Sequence, residues 1–521
     1  MGIGEASRRV QGQGRQGAEL GRDGRGWAGG AGCVRGVTGR GGYAAGVPWS
    51  EISWALWAAY LLVEATGLYF AVDVVMRGRT AQGAIAWALA LIFLPLLAVP
   101  LYLVFGERKF DGYVHARRRG NRGLDKVAAE LDQELKEFAR AAGPGMGPLV
   151  RLARTPVTGG NAADLLIDGE ATFAAIFAAV ARAERYVLVQ FYIFRDDGLG
   201  RRLRDALVEA SRRGVKVFLL YDEIGSYGLP GSYLQSLREG GVRCSGFRTK
   251  PRKQRRFRLN FRNHRKIVVV DGREAFVGGH NVGDEYLGLS PKFGPWRDTH
   301  MAVRGPAALC AQLAFVEDWY WANRAVPDIG WAPVAAGGGE DTRVLVVPSG
   351  PADTLETCAL LYTHVANAAK KRLWIATPYF VPDELTLGAL QLASLRGVDV
   401  RVIIPEATDS RLVWFSAFSY YNEVLPAGIR LFRYRAGFMH QKVVLSDDIA
   451  CIGTANFDNR SFRINFEVSA VIEDAAVAAR VGEMLEADLA RCREVRPGDF
   501  ERKGFWFRLA SRVSRLLAPI Q

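Results

Sequence analysis

One stretch of the chain carries residues whose types and spacing suit nucleophilic and acid-base chemistry. In "NHRKIVVVDG", His264 is followed by Lys266 and then by Asp271. Residues i and i+2 of a strand project from one face, so the imidazole and the ammonium group are expected to lie together. Taken alone, the stretch is better explained as an ordinary buried strand with a polar start and a DG turn at its end.

The same arrangement occurs a second time. "HQKVVLSD" repeats the spacing with His440, Lys442 and Asp447, 176 residues further along the chain. Each copy is followed by another strand pattern and an asparagine, Asn281 in "FVGGHN" and Asn456 in "CIGTAN". The repetition makes coincidence a poor explanation and predicts that both copies serve one site.

Two imidazoles, two ammonium groups and two amides around one point suit the non-bridging oxygens of a phosphate. Because histidine titrates near neutrality, one imidazole could attack while the other protonates the leaving oxygen. The predicted catalytic residues are the members of the duplicated motif, His264, Lys266, Asp271, His440, Lys442 and Asp447. The predicted phosphate-binding residues are Lys266, Asn281, Lys442 and Asn456.

The carboxylates in and around the motif have different predicted roles. Asp271 and Asp447 lie at an odd offset from the histidines and at strand ends, which favours a structural role such as fixing a turn. Asp298 in "WRDTH" and Glu467 in "NFEVS" are better candidates to orient an imidazole, because a carboxylate behind a histidine fixes its tautomer. No metal or other cofactor is expected, since a lysine follows each histidine and no H-x-x-x-H or Cys/His cluster occurs.

The duplicated motif belongs to a longer internal repeat. "ERYVLVQFYIF" is echoed by "KRLWIATPYFV", and "RRGVKVFLLYDEIGS" by "LRGVDVRVIIPEATDS". Strand patterns that alternate with helical patterns predict α/β units around a largely buried sheet. The repeat therefore predicts two such domains, at 151–333 and 334–500, packed about a pseudo-twofold axis.

Two apolar segments near the start predict a membrane hairpin at 51–109. Residues 80–106 carry no charge over 27 positions, more than the roughly 20 that cross a bilayer as a helix. Pro95 and Pro100 are expected to kink this helix, which membrane-spanning helices tolerate. The segment at 52–76 is long enough, but Glu64 falls near its middle and Asp73 near its end. Such carboxylates should face the partner helix or be protonated.

Basic residues predict the orientation of this hairpin. Arg77 and Arg79 lie in its loop, whereas Arg108, Lys109 and four further arginines up to residue 122 follow the second segment. The positive-inside rule then places the catalytic domains in the cytoplasm. Residues 110–150 are expected to form a connector.

The chain has a net charge of +14, which predicts an anionic partner, either nucleic acid or an acidic membrane surface. Residues 1–50 are rich in Gly and Arg and are expected to be disordered. Residues 248–266 hold ten Lys/Arg and no acid, which favours lipid headgroups, although a nucleic-acid backbone stays open. Residues 501–521 predict a basic amphipathic helix, either at a membrane interface or packed on the domain. Six widely spaced cysteines predict reduced thiols.

The duplicated H-x-K-x-x-x-x-D and G-[GST]-x-N motifs resemble those of the phospholipase D superfamily. The phrases "NHRKIVVVDGREAFVGGHNVGDEYLG", "WRDTH", "VVPSGP", "ATPYFVPD" and "GFMHQKVVLSD" are similar to those of bacterial cardiolipin synthases. The resemblance covers residues 52–521. One departure is Gly279, where many superfamily members have Ser, whereas Thr454 keeps a hydroxyl in the second copy.

The resemblance implies two phospholipase D-like α/β/α sandwich domains behind a transmembrane hairpin, in a multi-pass protein of the bacterial plasma membrane. It also implies ping-pong phosphatidyl transfer. His264 would attack phosphatidylglycerol, releasing glycerol, and a second phosphatidylglycerol would resolve the phosphohistidine with His440 as general acid and base. The expected partners are phosphatidylglycerol and anionic lipids rather than nucleic acid. Rival interpretations are a hydrolytic phospholipase D, a nuclease of the superfamily and a non-catalytic membrane scaffold.

Overall fold

The computed structural model describes residues 49–78, 81–106, 122–143, 146–247 and 261–518. Several predicted features lie outside these residues: the Gly/Arg-rich tail up to residue 48, the basic residues at 107–121 and the basic insert at 248–260. Residues up to Leu61 and residues from Leu62 onward belong to separate units. Of the first unit, the structure describes the helical residues 49–61.

The apolar start of the described chain forms three helices, α1 (Trp49–Arg77), α2 (Ala81–Phe93) and α3 (Pro95–Phe105). Within α1, Ser53–Met76 is long and apolar enough to cross a membrane. The second predicted span is not one continuous helix. It breaks at Leu94, whose φ of −136° and ψ of 50° are non-helical, because the ring of Pro95 disfavours a helical residue before it.

Of the two acidic residues in the apolar helix α1, Glu64 and Asp73, one has a polar partner in a neighbouring helix. The Asp73 carboxylate accepts a hydrogen bond of 3.2 Å from the Tyr102 hydroxyl of α3. Apolar side chains around this pair form a small cluster, Ala71, Val74, Leu91, Ala98 and Tyr102. Glu64 is half-buried.

The connector contains α4 (Arg122–Glu134) and α5 (Gly147–Ala153). The helices of the first repeat are α6 (Asp168–Arg182), α7 (Gly198–Arg212), α8 (Gly231–Glu239) and α9 (Ala307–Asn323). Its strands are β1 (Thr158–Ile167), β2 (Tyr186–Phe191), β3 (Lys216–Asp222), β4 (Arg243–Phe247), β5 (Arg262–Asn263), β6 (Ile267–Val270), β7 (Glu274–Gly278), β8 (Trp296–Arg297) and β9 (Thr299–Arg304).

The helices of the second repeat are α10 (Thr357–Ala368), α11 (Glu384–Leu395), α12 (Arg411–Ser419), α13 (Tyr421–Val424), α14 (Asn459–Arg463) and α15 (Ala475–Leu489). Its strands are β10 (Thr342–Ser349), β11 (Arg372–Ala376), β12 (Phe380–Val381), β13 (Asp399–Pro405), β14 (Arg430–Tyr434), β15 (Phe438–Met439), β16 (Val443–Ser446), β17 (Ile449–Gly453), β18 (Phe457–Asp458), β19 (Asn465–Glu473) and β20 (Cys492–Glu494). A last helix, α16, covers Phe505–Leu516.

The strand order shows the duplication directly. One continuous sheet runs β20-β14-β13-β11-β16-β17-β19-β10-β1-β9-β7-β6-β2-β3-β4. Outward from its centre, β1-β9-β7-β6-β2-β3-β4 has the same order as β10-β19-β17-β16-β11-β13-β14. The predicted pair of α/β domains related by a pseudo-twofold axis is therefore confirmed.

The two halves are joined at the centre of the sheet and through a shared core. β1 and β10 pair antiparallel, with Thr158 opposite Val344 and Asn161 opposite Thr342. The inner strands are buried on both faces, as expected for a sheet covered by helices on both sides. One hydrophobic core contains side chains of both α9 and α15, so both repeats contribute to it.

Two short parallel ladders connect the repeats a second time, next to the motif histidines. β5 pairs with the start of β19, with Arg262 opposite Asn465 and Asn263 opposite Phe466. β15 pairs with β8, with Phe438 opposite Trp296 and Met439 opposite Arg297. Each ladder therefore brings the residues before one motif histidine against a segment of the other repeat.

Candidate active site

The first motif histidine is held by the second repeat. The His264 backbone N–H donates to the Phe466 carbonyl at 2.9 Å, which continues the β5–β19 ladder by one residue. Its Nδ1 lies 2.9 and 3.0 Å from the two carboxylate oxygens of Glu467. Because Nδ1 is engaged with this carboxylate, Nε2 is the ring nitrogen left for a substrate.

The second motif histidine shows the reciprocal arrangement. The His440 backbone N–H donates to the Arg297 carbonyl at 2.7 Å, and its Nδ1 lies 2.7 Å from Asp298 Oδ2. Each histidine is thus paired with a carboxylate of the opposite repeat. The sequence singled out Asp298 and Glu467, and the structure brings each of them to the histidine of the other half.

Strand register shows that the two carboxylates are equivalent positions. Gly279 N–H donates to the Thr299 carbonyl, and Thr454 N–H donates to the Val468 carbonyl, both at 2.9 Å. Asp298 and Glu467 each precede the acceptor residue by one. Their unequal spacing from the asparagines, 17 and 11 residues, reflects the longer connection in the first repeat.

The two carboxylates differ in what supports them. The Thr454 hydroxyl donates to Glu467 Oε2 at 2.6 Å. At the matching position, a Cβ built on Gly279 would lie 1.9 Å from Asp298 Oδ1, so this carboxylate occupies the space of a side chain there. The departure from the superfamily pattern at Gly279 therefore has a physical reason.

Both motif lysines are buried beside their histidines. Lys266 Nζ donates to the His264 carbonyl at 2.7 Å and lies 5.6 Å from the centre of the Tyr192 ring. Lys442 Nζ donates to the His440 carbonyl and lies 2.8 Å from His440 Nδ1. These contacts fix both ammonium groups at the histidines, where an anion would be neutralised.

Electrostatics in the site depart from the near-neutral titration expected from the sequence. Burial lowers the pKa of His264 to about 4, although Glu467 acts in the opposite direction. Burial and the neighbouring Lys442 lower the pKa of His440 to about 4 as well. Both imidazoles are therefore neutral at physiological pH when no anion is bound, which is the state that a nucleophile needs.

The lysines and carboxylates are shifted too. Burial lowers the pKa of Lys442 to about 8 and that of Lys266 well below its ordinary value. Burial alone would raise the pKa of Asp298, but Lys442, His280 and His440 together hold it well below its usual range. Burial is likewise outweighed at Glu467, whose pKa His264 and Lys266 lower. The carboxylates therefore stay ionised behind the histidines.

These shifts predict a basic limb in the pH profile of the enzyme. Below about pH 8, Lys442 carries the charge that neutralises a bound phosphate, and above it the charge is lost. We expect kcat/KM for a dispersed short-chain substrate to fall with an apparent pKa near 8. In Lys442→Arg, which stays charged, the limb should move beyond the accessible range while overall activity drops. A basic limb that stays in place in Lys442→Arg would assign it to another group.

The motif asparagines are buried but differ in their contacts. Asn281 Nδ2 donates to the Tyr286 hydroxyl at 3.0 Å, and its Oδ1 accepts from the Ile193 N–H at 3.1 Å. Asn281 thus links the segment after β2, through Ile193, to the segment that contains Tyr286. Among the described residues, the buried Asn456 Oδ1 has no hydrogen-bond partner.

The motif aspartates contact backbone rather than the histidines. Asp271 accepts the N–H groups of Glu184, Arg185 and Tyr186 at 2.8 to 2.9 Å. Its φ is +54°, a left-handed conformation that Asp tolerates better than most residues. Its carboxylate therefore holds the start of β2.

Asp447 does the same in the second repeat. It accepts the N–H groups of Lys370, Lys371 and Arg372 at 2.8 to 3.0 Å, at a φ of +50°. Burial alone would raise the pKa of Asp447, but these three donors lower it below its ordinary value. Both aspartates are placed to stabilise the turn between two strands.

Replacing Asp447 is therefore expected to affect folding more than chemistry. Asp447→Ala should lower the free energy of unfolding by about 2 to 4 kcal/mol, because three backbone donors lose a charged acceptor. Thermal unfolding of the purified protein in detergent measures this, with Asp447→Asn, which keeps an acceptor, as the milder control. A variant of unchanged stability that loses more than a hundredfold in activity would instead place this carboxylate at the substrate.

Aromatic side chains that the sequence analysis missed surround the histidines. The Tyr192 ring lies edge-on to His264 with 5.1 Å between centroids. Trp296 and Phe438 lie 5.1 and 5.8 Å from the His440 ring. The sequence contained one sign of these aromatic residues. Tyr192 and Tyr379 stand at matching places of the repeat, in "QFYIF" and "TPYFV".

The site contains two imidazoles, each bonded to a carboxylate, and two buried ammonium groups, each beside one of the imidazoles. Within the described parts of the chain, no group of three His, Cys, Asp or Glu side chains could hold a metal ion. Neutral nitrogen nucleophiles backed by carboxylates, next to fixed cations, suit covalent attack on a phosphodiester.

A fold of two such repeats with one shared His/Lys site defines an enzyme of the phospholipase D type. The family model for "Cardiolipin synthase, PLD-like domain" matches residues 176–290 and 362–489, and that for the phospholipase D-nuclease N-terminal region matches 67–107. A solved structure of phosphatidylserine synthase from Haemophilus influenzae Rd KW20 shares the fold, with a TM-score of 0.52 at 12% identity. That match covers 76% of this chain and all of the other.

Relatives of higher sequence identity show which family within the phospholipase D type the chain belongs to. Cardiolipin synthase A of Pseudomonas aeruginosa PAO1 is 50% identical over 465 residues, covering 88% of this chain and 94% of the relative. Cardiolipin synthase A of Pseudomonas fluorescens Pf-5 is 47% identical, covering 88% of this chain and 97% of the relative. The chain belongs to the cardiolipin synthase family of phospholipase D-type phosphatidyltransferases.

Proposed function

We propose that this protein joins two phosphatidylglycerol molecules into cardiolipin and glycerol through a phosphohistidine intermediate. The observation that carries the proposal is the pair of imidazoles, each with Nδ1 on a buried carboxylate of the opposite repeat. Half of the machinery comes from each repeat, so attack and proton transfer can take place on opposite sides of one phosphate.

In the first step, His264 Nε2 attacks phosphorus. The bond between phosphorus and the glycerol oxygen breaks, and that oxygen takes a proton from His440. Lys266 and Lys442 neutralise the non-bridging oxygens. The bound phosphodiester anion offsets the lysine charges and raises the pKa of His440 in the complex, so that His440 takes up a proton from solvent and passes it to the leaving glycerol oxygen.

In the second step, His440 removes a proton from a glycerol hydroxyl of a second phosphatidylglycerol. The oxygen so activated attacks phosphorus, the phosphorus–nitrogen bond breaks, and His264 is restored. Glu467 stabilises the positive charge that the ring carries while it is phosphorylated. The donor and the acceptor are thus the same lipid, and no cofactor is consumed.

Hydrolysis is the second candidate, because water could replace the lipid alcohol on the same intermediate. Its basis is that no described side chain of the His/Lys site distinguishes one acceptor from the other. Purified protein incubated with phosphatidylglycerol alone should yield cardiolipin and equimolar glycerol. Phosphatidic acid as the sole product would contradict the synthase proposal, and products formed only with added phosphatidylethanolamine or CDP-diacylglycerol would change the substrate assignment.

We further propose a multi-pass arrangement in the plasma membrane with the catalytic repeats in the cytoplasm. The apolar helix α1, the two shorter apolar helices and the basic residues after residue 106 support it. An impermeant thiol reagent applied to intact cells should label Ala81→Cys, at an exposed position at the start of α2, and leave Lys126→Cys unlabelled. Labelling of neither residue would place the start of α2 on the side of the catalytic repeats, where Gln82 and Gly83 line a cavity with Asp383 and Arg515. That result, labelling of both residues, or labelling of the second alone would contradict this orientation.

A further inference from the structure

The last helix, α16, carries most of its large apolar side chains on its outer face. The side chains that face the domain include Ser511, fully buried, and Ser514, 7% exposed. The side chains on the outer face are large and apolar: Phe505, Trp506, Leu509, Val513, Leu516 and Leu517. Trp506 is 78% exposed and Leu516 is 79% exposed. Exposure of such an apolar face to water is unfavourable in free energy.

The helix is nevertheless firmly attached to the second repeat. Phe507 inserts between Phe415 and Phe418 of α12, with ring centroids 5.2 and 5.0 Å away. The Arg515 guanidinium pairs with Glu423 and lies 4.3 Å from the centre of the Tyr420 ring. These contacts fix the orientation of α16, so the apolar face is held outward by the structure.

Basic side chains border the apolar face. Arg502, Lys503, Arg508, Arg512 and Arg515 lie in or just before α16. In residues 501–516 the sole acidic residue is Glu501. An outward apolar face bordered by cations fits an anionic bilayer, in which the apolar side chains enter the acyl region and the cations meet the headgroups.

The helix that α16 packs on begins next to the active site. Asp409, two residues before α12, accepts a hydrogen bond of 2.5 Å from the Tyr379 hydroxyl. Its carboxylate is near enough to His440 and Lys442 to act toward a higher pKa at both, against the larger effect of burial. A lipid surface at α16 would therefore lie close to the His/Lys site.

We propose that α16 inserts its outer face into the surface of an anionic bilayer and holds the entrance of the active site against the lipid. The sequence left open whether this segment packs on the domain or lies at a membrane interface. In this proposal the inner face of the helix packs on the domain and the outer face lies in the membrane interface. The proposal goes beyond cardiolipin synthesis, because it would hold equally for a hydrolase acting on the same lipid.

A bilayer-depth measurement tests the insertion in the full-length protein. The target is Val513→Cys in a Cys33→Ser background, labelled with a polarity-sensitive fluorophore and reconstituted in phosphatidylglycerol-containing vesicles. Selective labelling is feasible because burial raises the pKa of all five remaining thiols: that of Cys244 to about 11, that of Cys310, Cys451 and Cys492 to about 12, and that of Cys358 well above its ordinary value. Asp328→Cys, beside the start of β3 and away from the site, is the matched control.

The label at residue 513 should be quenched by nitroxide groups on lipid acyl chains, and the label at residue 328 should not. Equal, weak quenching at both positions would overturn the proposal. Quenching of neither, combined with fluorescence that changes with protein concentration in detergent, would show that a second copy of the chain covers the face instead.

An activity measurement tests the consequence. The triple variant Trp506→Ser, Leu509→Ser, Val513→Ser should lose about tenfold or more of its turnover of vesicle-embedded substrate. Its turnover of a dispersed short-chain substrate should stay within about twofold of the parent, which also shows that the variant is folded. Equal loss on both substrates would contradict the membrane role, and absence of transfer in the parent would contradict the proposed function instead.

Discussion

In His440→Ala, turnover of phosphatidylglycerol is expected to fall by about 10⁴-fold or more, while a phosphatidyl ester of p-nitrophenol still releases one equivalent of nitrophenolate. The glycerol oxygen is a poor leaving group and needs a proton from His440. Nitrophenolate needs none, so His264 can still attack and hold the phosphatidyl group. Stopped-flow absorbance measures the burst, and acid-labile, base-stable label on a peptide that contains His264 identifies the intermediate.

His264→Ala is the matched control, because the repeats are nearly symmetric and the assignment of nucleophile rests on the family resemblance. This variant should show neither turnover nor burst. If the burst survives in His264→Ala and disappears in His440→Ala, the two histidines exchange roles. A burst in the double variant would remove both from the covalent step.

The duplicated fold could be predicted from the sequence because the repeat is visible at the level of residue types. Aligned strand patterns and turns imply equal topology, and the sheet shows equal strand order in both halves. The second membrane segment shows where the same approach is less exact. Its uncharged length and its two prolines predicted one helix kinked at Pro95 and Pro100, whereas the backbone restriction before Pro95 divides the segment into two helices at Leu94.

Residue types singled out His264, His440, Asp298 and Glu467, but neither the aromatic side chains beside the histidines nor the pairing of each histidine with a carboxylate. Which carboxylate meets which histidine depends on the β5–β19 and β8–β15 ladders. These strands have two residues each, too short for any periodic pattern in the sequence. Burial, which the sequence analysis did not weigh for the two histidines, lowers the pKa of both to about 4.

The crossed pairing predicts that two carboxylate variants respond differently to the leaving group. Glu467→Gln keeps the shape beside His264 but removes the charge that stabilises the phosphorylated ring. We expect the burst with the nitrophenyl ester and the turnover of phosphatidylglycerol both to slow by about 10³-fold. Asp298→Asn removes the charge behind His440 and so weakens proton transfer by that imidazole. It should slow phosphatidylglycerol turnover by a similar factor, while the nitrophenyl burst is largely kept.

Thr454→Val is the matched control for Glu467→Gln, because it removes the hydroxyl bonded to Oε2 and leaves the carboxylate charged. It should slow both substrates by only about tenfold, since one supporting hydrogen bond is lost and the charge remains. If the pairing lay within each repeat, Asp298→Asn would suppress the nitrophenyl burst and Glu467→Gln would spare it. Because the two outcomes are opposite in sign, a single burst experiment on both variants decides whether catalysis uses the crossed pairs, and hence whether either repeat could act without the other.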